Sequence, residues 1–536
     1  MAVAIEEPSG LAVDWIAQRP VLMDFGGPED IGYVPLSEAA ENFHGIEPFE
    51  RAVERYADKV AIYDGTTSLS YAEVLDRVYG LARQIDEMLP KGAVVTSLVG
   101  STAAAPIIVL ACFAVGRTLV PLDAGHPLER KRALFEESGA QLLLLDANAK
   151  VDDSFIPADL PRIKVDATME TGAERINCPA DPADPMFVIF TSGSTGRPKG
   201  LAFANRHAST MSQTIDTFHL NENDIVLGLG SLTSGGSRDT FMALISGATI
   251  RLIDVKRAGL MEALRVIEQE QITFMSFVPS YIRMLFGLPG IEKSLRSLRI
   301  LDLHGEATLP EDMALMRSSL PEHCHISITL GATETGLVFT WYAKEDKIED
   351  GRVPVGYLIP GKQVAIIGED GNSVRPGEIG ELVVRGMLAR GGWQKGELTQ
   401  GRFLPDPDRP DWFVYPMGDL VRLRPDGLFE HHGRKDRQLK IRGQWADLGA
   451  VEAALRSCGG VADAVVDAIG AGGSEQIVAY VVPEKSVDAP TAAELRRAVA
   501  TATAEHMVPG RIEMLDAIPR LANFKPDLKR LEAMLA

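Results

Sequence analysis

A repeated alternation runs through this chain. Short, apolar, β-branched runs that end in turn signals are separated by stretches with helical periodicity. "AVVTSLVG", "APIIVLACFAVG", "RKRALFEESG" and "AQLLLLD" follow one another between residues 93 and 146. The pattern returns in "ATIRLID", "MEALRVIEQE", "ITFMSFVPS", "LRILDLHGEA" and "HISITLGATE". Such continuous short runs suit strands buried on both faces, the habit of parallel sheets covered by helices. An all-helical reading fails because the runs are too short and too β-branched.

Near Gly361 the texture shifts to glycine-punctuated strands, "KQVAIIGEDGNSV", "GEIGELVVRG" and "LVRLRPDGLFEHHGR", the material of a β-meander or distorted barrel. After Gly433 a charged connector, "RKDRQLKIRG", leads into a helix near residues 448–457, strands "ADAVVDAIG" and "QIVAYVVPE", and a helix "AAELRRAVATATAEHM". The expected fold is therefore α/β: a large N-terminal domain of parallel-rich sheets covered by helices plus a distorted β-barrel, with a small, mobile α+β C-terminal domain. The boundaries read as a leader at residues 1–45 that packs on the main body, a large core at 46–433, a hinge at 434–437 and a small lid at 438–536. A chain of 536 residues asks for more than one core in any case.

A formal charge of -20 and a pI near 5.0 argue against nucleic acid as a partner, since phosphate backbones are held by surplus Lys and Arg. Any anionic ligand must meet a local basic cluster. The most apolar early segment, residues 105–115, is far shorter than a bilayer-spanning helix, so no membrane partner is expected. The acidic N-terminal stretch "MAVAIEEPSG" does not resemble a signal peptide, which points to the cytoplasm. Cys112, Cys178, Cys324 and Cys458 lack paired spacing and read as buried free thiols rather than a disulfide frame or zinc site.

Chemistry concentrates first in "FVIFTSGSTGRPKG", residues 187–200. An apolar strand ends in Thr191, Ser192, Gly193, Ser194, Thr195 and Gly196, whose hydroxyls and unobstructed amides suit phosphate oxygens. Arg197 and Lys199 add charge, and Pro198 stiffens the base. The spacing departs from that of the common P-loop, and the competing reading is a plain Gly/Ser connector.

"TSGSTGRPKG" resembles the signature loop of the adenylate-forming (ANL) superfamily, which includes nonribosomal peptide synthetase adenylation domains, acyl- and aryl-CoA synthetases and luciferases. Further landmarks occur in the family's order: "LSYAEVLDRV", "VGRTLVPLDAGHPLER", "LHGEA", "LGATETG", "GEIGELVVRG", "YPMGDLVRLRPDG", "GRKDRQLKIRG" and "LANFKPDLKRL", between residues 69 and 531. The pattern is most like that of stand-alone nonribosomal peptide synthetase adenylation domains.

The resemblance implies a ligase with ATP and Mg²⁺ as cofactors, which joins a carboxylic acid to AMP, releases pyrophosphate, and passes the acyl group to a thiol. It implies that residues 191–196 wrap the phosphates with Lys199 assisting, that Thr333 bonds the α-phosphate and that Glu334 holds the metal. Gly305, Glu306, Ala307 and Leu330 would lie along the adenine, Asp419 would accept the ribose hydroxyls, and Arg434 would reach ribose or phosphate. Lys525 would bridge the acid's carboxylate and the phosphoester oxygens, and Asp436 would be the hinge about which the small domain turns. The bland readings are a solvated surface lysine for Lys525, a turn cap for Thr333, a solvated acid for Glu334 and a linker acid for Asp436. Leu330 replaces the family's usual adenine-stacking Tyr, Ala332 its Pro, and Phe524 the Gly before the lysine, while Pro416 and Met417 replace Arg-Thr. None of these removes a proposed catalytic group.

Counting back from "TFMALISGATI" puts Ser234 where these domains usually carry the Asp that anchors an α-amino group. A buried ammonium without an anion is costly, so an ordinary α-amino acid bound in the usual way is disfavoured. The same count lines the acid pocket with Gly235, Arg238, Ser276, Asp302, His304, Thr329, Leu337 and Val338. Arg238 is either a partner for a carboxylate or polar tail of the substrate, or half of an ion pair with Asp239 or Asp302. Asp302 is an alternative seat for a displaced amine. "EHMVPGRIEMLDAIPR" resembles the peptide-synthetase version of its segment, favouring a phosphopantetheinyl carrier protein over CoA as acceptor. No carrier attachment segment follows Lys525 in this sequence, so the expectation is either that the carrier is a separate protein or that the chain is an excised domain. An acyl- or aryl-CoA ligase and a catalytically degenerate nucleotide-binding scaffold remain the alternatives.

Overall fold

The structure, a computed structural model, describes residues 13–17, 36, 45–149, 151–176, 181–192, 198–229, 232–233, 236–343, 347–349, 351–391, 393, 403–409, 411–435, 438–441, 444–469, 476–484, 488–521 and 526–535. Two large sheets dominate. The first has seven strands in the order Arg390–Gly391, Pro198–Ala204, Pro185–Ser192, Thr118–Asp123, Val94–Val99, Leu142–Asp146, Arg162–Val165. From Pro185–Ser192 onward neighbouring strands are parallel. The second has nine strands. Its parallel centre runs Val60–Tyr63, Thr249–Leu252, Ile225–Gly228, Phe274–Phe277, Ile300–Leu303, His325–Ala332, with antiparallel strands at both ends.

One apolar core joins the two sheets: Val95, Leu119 and Phe187 of the first share a cluster with Ile62, Ile250 and Phe274 of the second. The helix Ala104–Ala114 runs through it with every residue buried, which explains why its sequence has no polar face. Beside it, the helix Tyr71–Met88 starts on a capping box. Ser70 Oγ accepts from the Glu73 amide at 3.3 Å, and the Ser70 amide donates to the Glu73 carboxylate at 2.7 Å. Tyr71, fully buried, donates to the Ala248 carbonyl at 2.7 Å and so pins this helix to the turn before Thr249–Leu252.

The glycine-punctuated strands form a six-stranded antiparallel sheet built on Lys362–Ile367, Ile379–Gly386 and Phe413–Leu423. Ile16–Ala17, from the N-terminal stretch, adds an edge strand to it by pairing Ile16 with Val364. The C-terminal subdomain has its own sheet, Val461–Ile469, Gln476–Pro483 and Arg511–Met514, and its own core around Val451, Leu455, Ala464, Val466, Leu495 and Val499. Here one sequence expectation is corrected. The last predicted helix stops at Ala502, and Glu505–Met507 is a separate short 3₁₀ turn. Thr501 and Thr503 hydroxyls bond back to the Arg497 and Val499 carbonyls at 2.9 and 2.8 Å, and Thr503 leaves the helix in an extended conformation. No described helix is long and apolar enough to cross a membrane.

Candidate active site

Loops leaving the strands open onto a cleft of about 2170 Å³ that also touches the C-terminal subdomain. Its central wall is the hairpin His325–Ala332/Gly336–Tyr342, whose tip is Thr333, Glu334 and Thr335. Thr335 ties the tip: its Oγ1 accepts from the Ala332 amide at 3.2 Å and donates to the Gly336 carbonyl at 3.0 Å. Gly331 is required there, because a Cβ at that position would lie 2.3 Å from the Gly336 oxygen. The Ala389 amide donates to the Glu334 carbonyl at 3.0 Å, fixing the backbone from the far side. Thr333 and Glu334 both line the cleft, and the Glu334 carboxylate has no partner among the described residues.

Asp419 lies on the opposite wall, 6% exposed, at a bulge in the pairing of Phe413–Leu423 with Phe429–Arg434. Its two oxygens meet His431 Nε2 at 2.9 Å and Arg434 Nη1 at 3.0 Å. Arg434 is thus oriented by the carboxylate beside which it was expected to work. Gly418, at φ +78°, brings the chain close enough that a Cβ would sit 3.2 Å from Arg434 Nη2. His431, which also lines the cleft, was not singled out from sequence. The "PDG" turn between the two strands sets the register that brings it to Asp419.

A third group forms the floor. Ser276 and Asp302 are register partners on adjacent parallel strands, and Arg238 reaches them from the helix Gly236–Ser246. Arg238 Nη2 donates to Asp302 Oδ2 at 3.0 Å and to Ser276 Oγ at 2.6 Å, while Nε donates to Asp239 at 3.1 Å. Ser276 Oγ donates to Asp302 at 2.6 Å, with His304 Nδ1 at 3.1 Å on its other side. Burial acts to raise the Asp302 pKa, but His304, the Arg238 charge and Ser276 outweigh it and hold the carboxyl at about 2. For Asp239 burial dominates over Arg238 and the carboxyl is raised. Of the two readings of Arg238, the ion pair with both aspartates is present, and the side chain still lines the cleft.

The remaining expected residues divide plainly. Gly305, Glu306 and Ala307 line the cleft, but the Glu306 carboxylate is engaged by Ser280, whose amide and hydroxyl donate to it at 3.0 Å each. Thr329, Leu330 and Leu337 line it too, Thr329 held by a 3.2 Å bond to the Leu303 carbonyl. Asp302 and Val338 are fully buried behind that lining. Lys199 lies opposite Thr191 in an antiparallel pair. Gly193, Ser194, Thr195, Gly196, Ser234, Gly235, Asp436 and Lys525 fall outside the described residues, as do the side chains of Thr191 and Ser192. Lys362 lines the cleft unannounced by any sequence pattern; burial lowers its pKa to about 8. No cluster of three or more metal-ligating side chains exists among the described residues.

A two-sheet α/β body with a small α+β lobe bordering its cleft is the frame in which these residues meet, and comparison with known proteins gives the family. The chain belongs to the family of AMP-binding enzymes: that family's model matches residues 49–393, and the model of the AMP-binding enzyme C-terminal domain matches residues 450–525. It is 31% identical to tyrocidine synthase 3 of Brevibacillus parabrevis over 500 residues, 90% of this chain and 8% of that protein. It is 28% identical to tyrocidine synthase 1 of the same organism over 515 residues, 94% of this chain and 46% of that protein. The chain therefore spans under half the length of these curated relatives. Among solved structures, Klebsiella oxytoca NpsA in complex with 3-hydroxyanthranilyl-AMSN shares the fold with a TM-score of 0.78 at 21% identity, over 92% of this chain and all of that one.

Proposed function

We propose that this protein activates a carboxylic acid with ATP as an acyl-adenylate, releasing pyrophosphate, and then transfers the acyl group to the phosphopantetheine thiol of a carrier protein. The observation that carries the reading is the convergence on one cleft of Thr333 and Glu334, of Asp419 with Arg434, and of the Arg238 cluster. Bringing a carboxylate onto a phosphate requires that two anions be neutralised and aligned first. Arg434 and Lys525 supply positive charge, Thr333 donates to the α-phosphate, and residues 191–196 with Lys199 hold the departing pyrophosphate. A lone carboxylate such as Glu334 fits Mg²⁺, which takes most of its oxygens from water and phosphate and, when bound, screens phosphate charge. Lys525 then stabilises charge as the acid's oxygen attacks phosphorus. The chain divides accordingly into the core at residues 46–433, a hinge at 434–437 centred on Asp436, and a lid at 438–536, with residues 1–45 as a leader.

The acid reading follows from the floor. Ser234 offers no anion for an α-ammonium, whereas Arg238 Nη1 has no partner among the described residues. The acid is one without an α-ammonium held in the usual way, carrying a hydrogen-bond acceptor at its far end. ATP–pyrophosphate exchange over a panel of aryl, hydroxy, β-amino and α-amino acids tests this. Exchange is expected with an acceptor-bearing acid and lost by at least about tenfold in Arg238→Leu. Exchange confined to ordinary α-amino acids would overturn the assignment. Thioester formation measured separately with carrier protein and with CoA decides the acceptor.

A further inference from the structure

We infer that Arg520 is a positioning residue that latches the C-terminal subdomain onto the segment beside the nucleotide. The helix Pro279–Phe286 follows directly from the strand Phe274–Phe277, and its first turn is capped from the neighbouring loop. The Ser280 amide and hydroxyl both donate to the Glu306 carboxylate, so Glu306 sits where a helix N-terminus favours negative charge. Ser280, only 2% exposed, uses its remaining acceptor capacity on a residue from the other subdomain. Arg520 Nη1 donates to Ser280 Oγ at 2.9 Å across 240 residues of chain. Through Nη2 the same guanidinium bonds Asp463 of its own subdomain's sheet.

The junction is electrostatically alternating. Arg283, one turn beyond Ser280, is paired with Asp312 and also feels Glu306 and Asp463. Arg520 thus enters between two carboxylates, one on each subdomain, and its side chain is 11% exposed. A planar, charged fork held by Asp463 has few alternative rotamers, so the bond to Ser280 fixes orientation as well as contact. Five residues after Arg520 comes Lys525, and cleft-lining residues resume at Pro526. Docking Arg520 therefore fixes one end of the stretch between Leu521 and Pro526, both of which line the cleft, and Lys525 belongs to that stretch in sequence.

The catalytic consequence rests on the adenylation reading; the latch itself does not. Two arms test them separately. In hydrogen–deuterium exchange of the full chain with ATP and Mg²⁺, Arg520→Ala is expected to speed exchange by about tenfold in peptides covering residues 279–286 and 303–309. Peptides within Arg511–Met514 should keep wild-type protection, and Arg520→Lys should restore part of the loss. Unchanged exchange at residues 279–286 would overturn the latch, whether or not the protein adenylates anything. With an acid that supports pyrophosphate exchange, Arg520→Ala is expected to lower the adenylation rate about tenfold while thiol transfer from pre-formed acyl-adenylate stays within twofold. Equal loss in both half-reactions, or in neither, would overturn the positioning role. If no acid supports exchange in the wild type, the adenylation reading falls and the first arm still decides the latch.

Discussion

Asp302 carries the most consequential charge in the cleft, although it never reaches the surface. It is 0% exposed, ionised, and bonded to Arg238 and Ser276. Removing Asp302 leaves the half-buried Arg238 with Asp239 as its one remaining described carboxylate and takes the acceptor from Ser276, so Asp302→Ala should cost about 3 kcal/mol, read from the urea midpoint. Asp302→Ala combined with Arg238→Leu should cost less than the sum of the two single changes, because the pair acts as a unit. Lys362 makes the opposite case. Its ammonium is lowered from 10.5 to about 8 by burial, so the unfolded chain binds more protons than the folded one between those values. The penalty is fully present below pH 8 and is relieved as pH rises toward 10.5. Lys362→Met should therefore raise stability at pH 7 by about 3 kcal/mol and lose most of that advantage by pH 10. An advantage that does not shrink between those pH values would contradict the assignment.

At the scale of elements, much was legible and for identifiable reasons. Buried parallel strands announce themselves as continuous apolar runs; "LSYAEVLDRV" was read only as a family landmark, and the structure shows that its helix starts on a capping box, a local device. Ser70→Ala should accordingly cost about 1 kcal/mol in denaturant unfolding, with no change in ligand binding. "LGATETG" was legible as a family landmark but not as a hairpin tip, and the geometry explains its glycine: Gly331→Ala would drive a Cβ into backbone that has no rotamer to yield. We expect at least about a hundredfold loss of adenylation with the fold retained by circular dichroism. What sequence did not disclose were residues whose roles depend on register between distant strands. His431 meets Asp419 only through the pairing across a bulge, and Ser280 meets Glu306 only because two parallel strands deliver their loops side by side. The overlong final helix was a local error, since threonine back-bonding ended what periodicity would have extended.

At the scale of the molecule, two sheets share one core and hold the cleft walls rigid, while the C-terminal subdomain, with a core of its own, meets them across hydrogen bonds such as that from Arg520 to Ser280. On the proposed reading, a large body would position the phosphates and a small one would complete the charge around them, admitting two anions and then excluding water. The cleft is proposed to make acyl-adenylates. Its most direct test is mass spectrometry of reactions containing the protein, ATP, Mg²⁺, the acid panel and hydroxylamine. A hydroxamate of one class of acid is expected, formed in step with AMP, without ADP, and reduced to background by Lys525→Ala. Measurable ATP binding with no AMP-coupled product from any acid would contradict it and leave a nucleotide-binding scaffold.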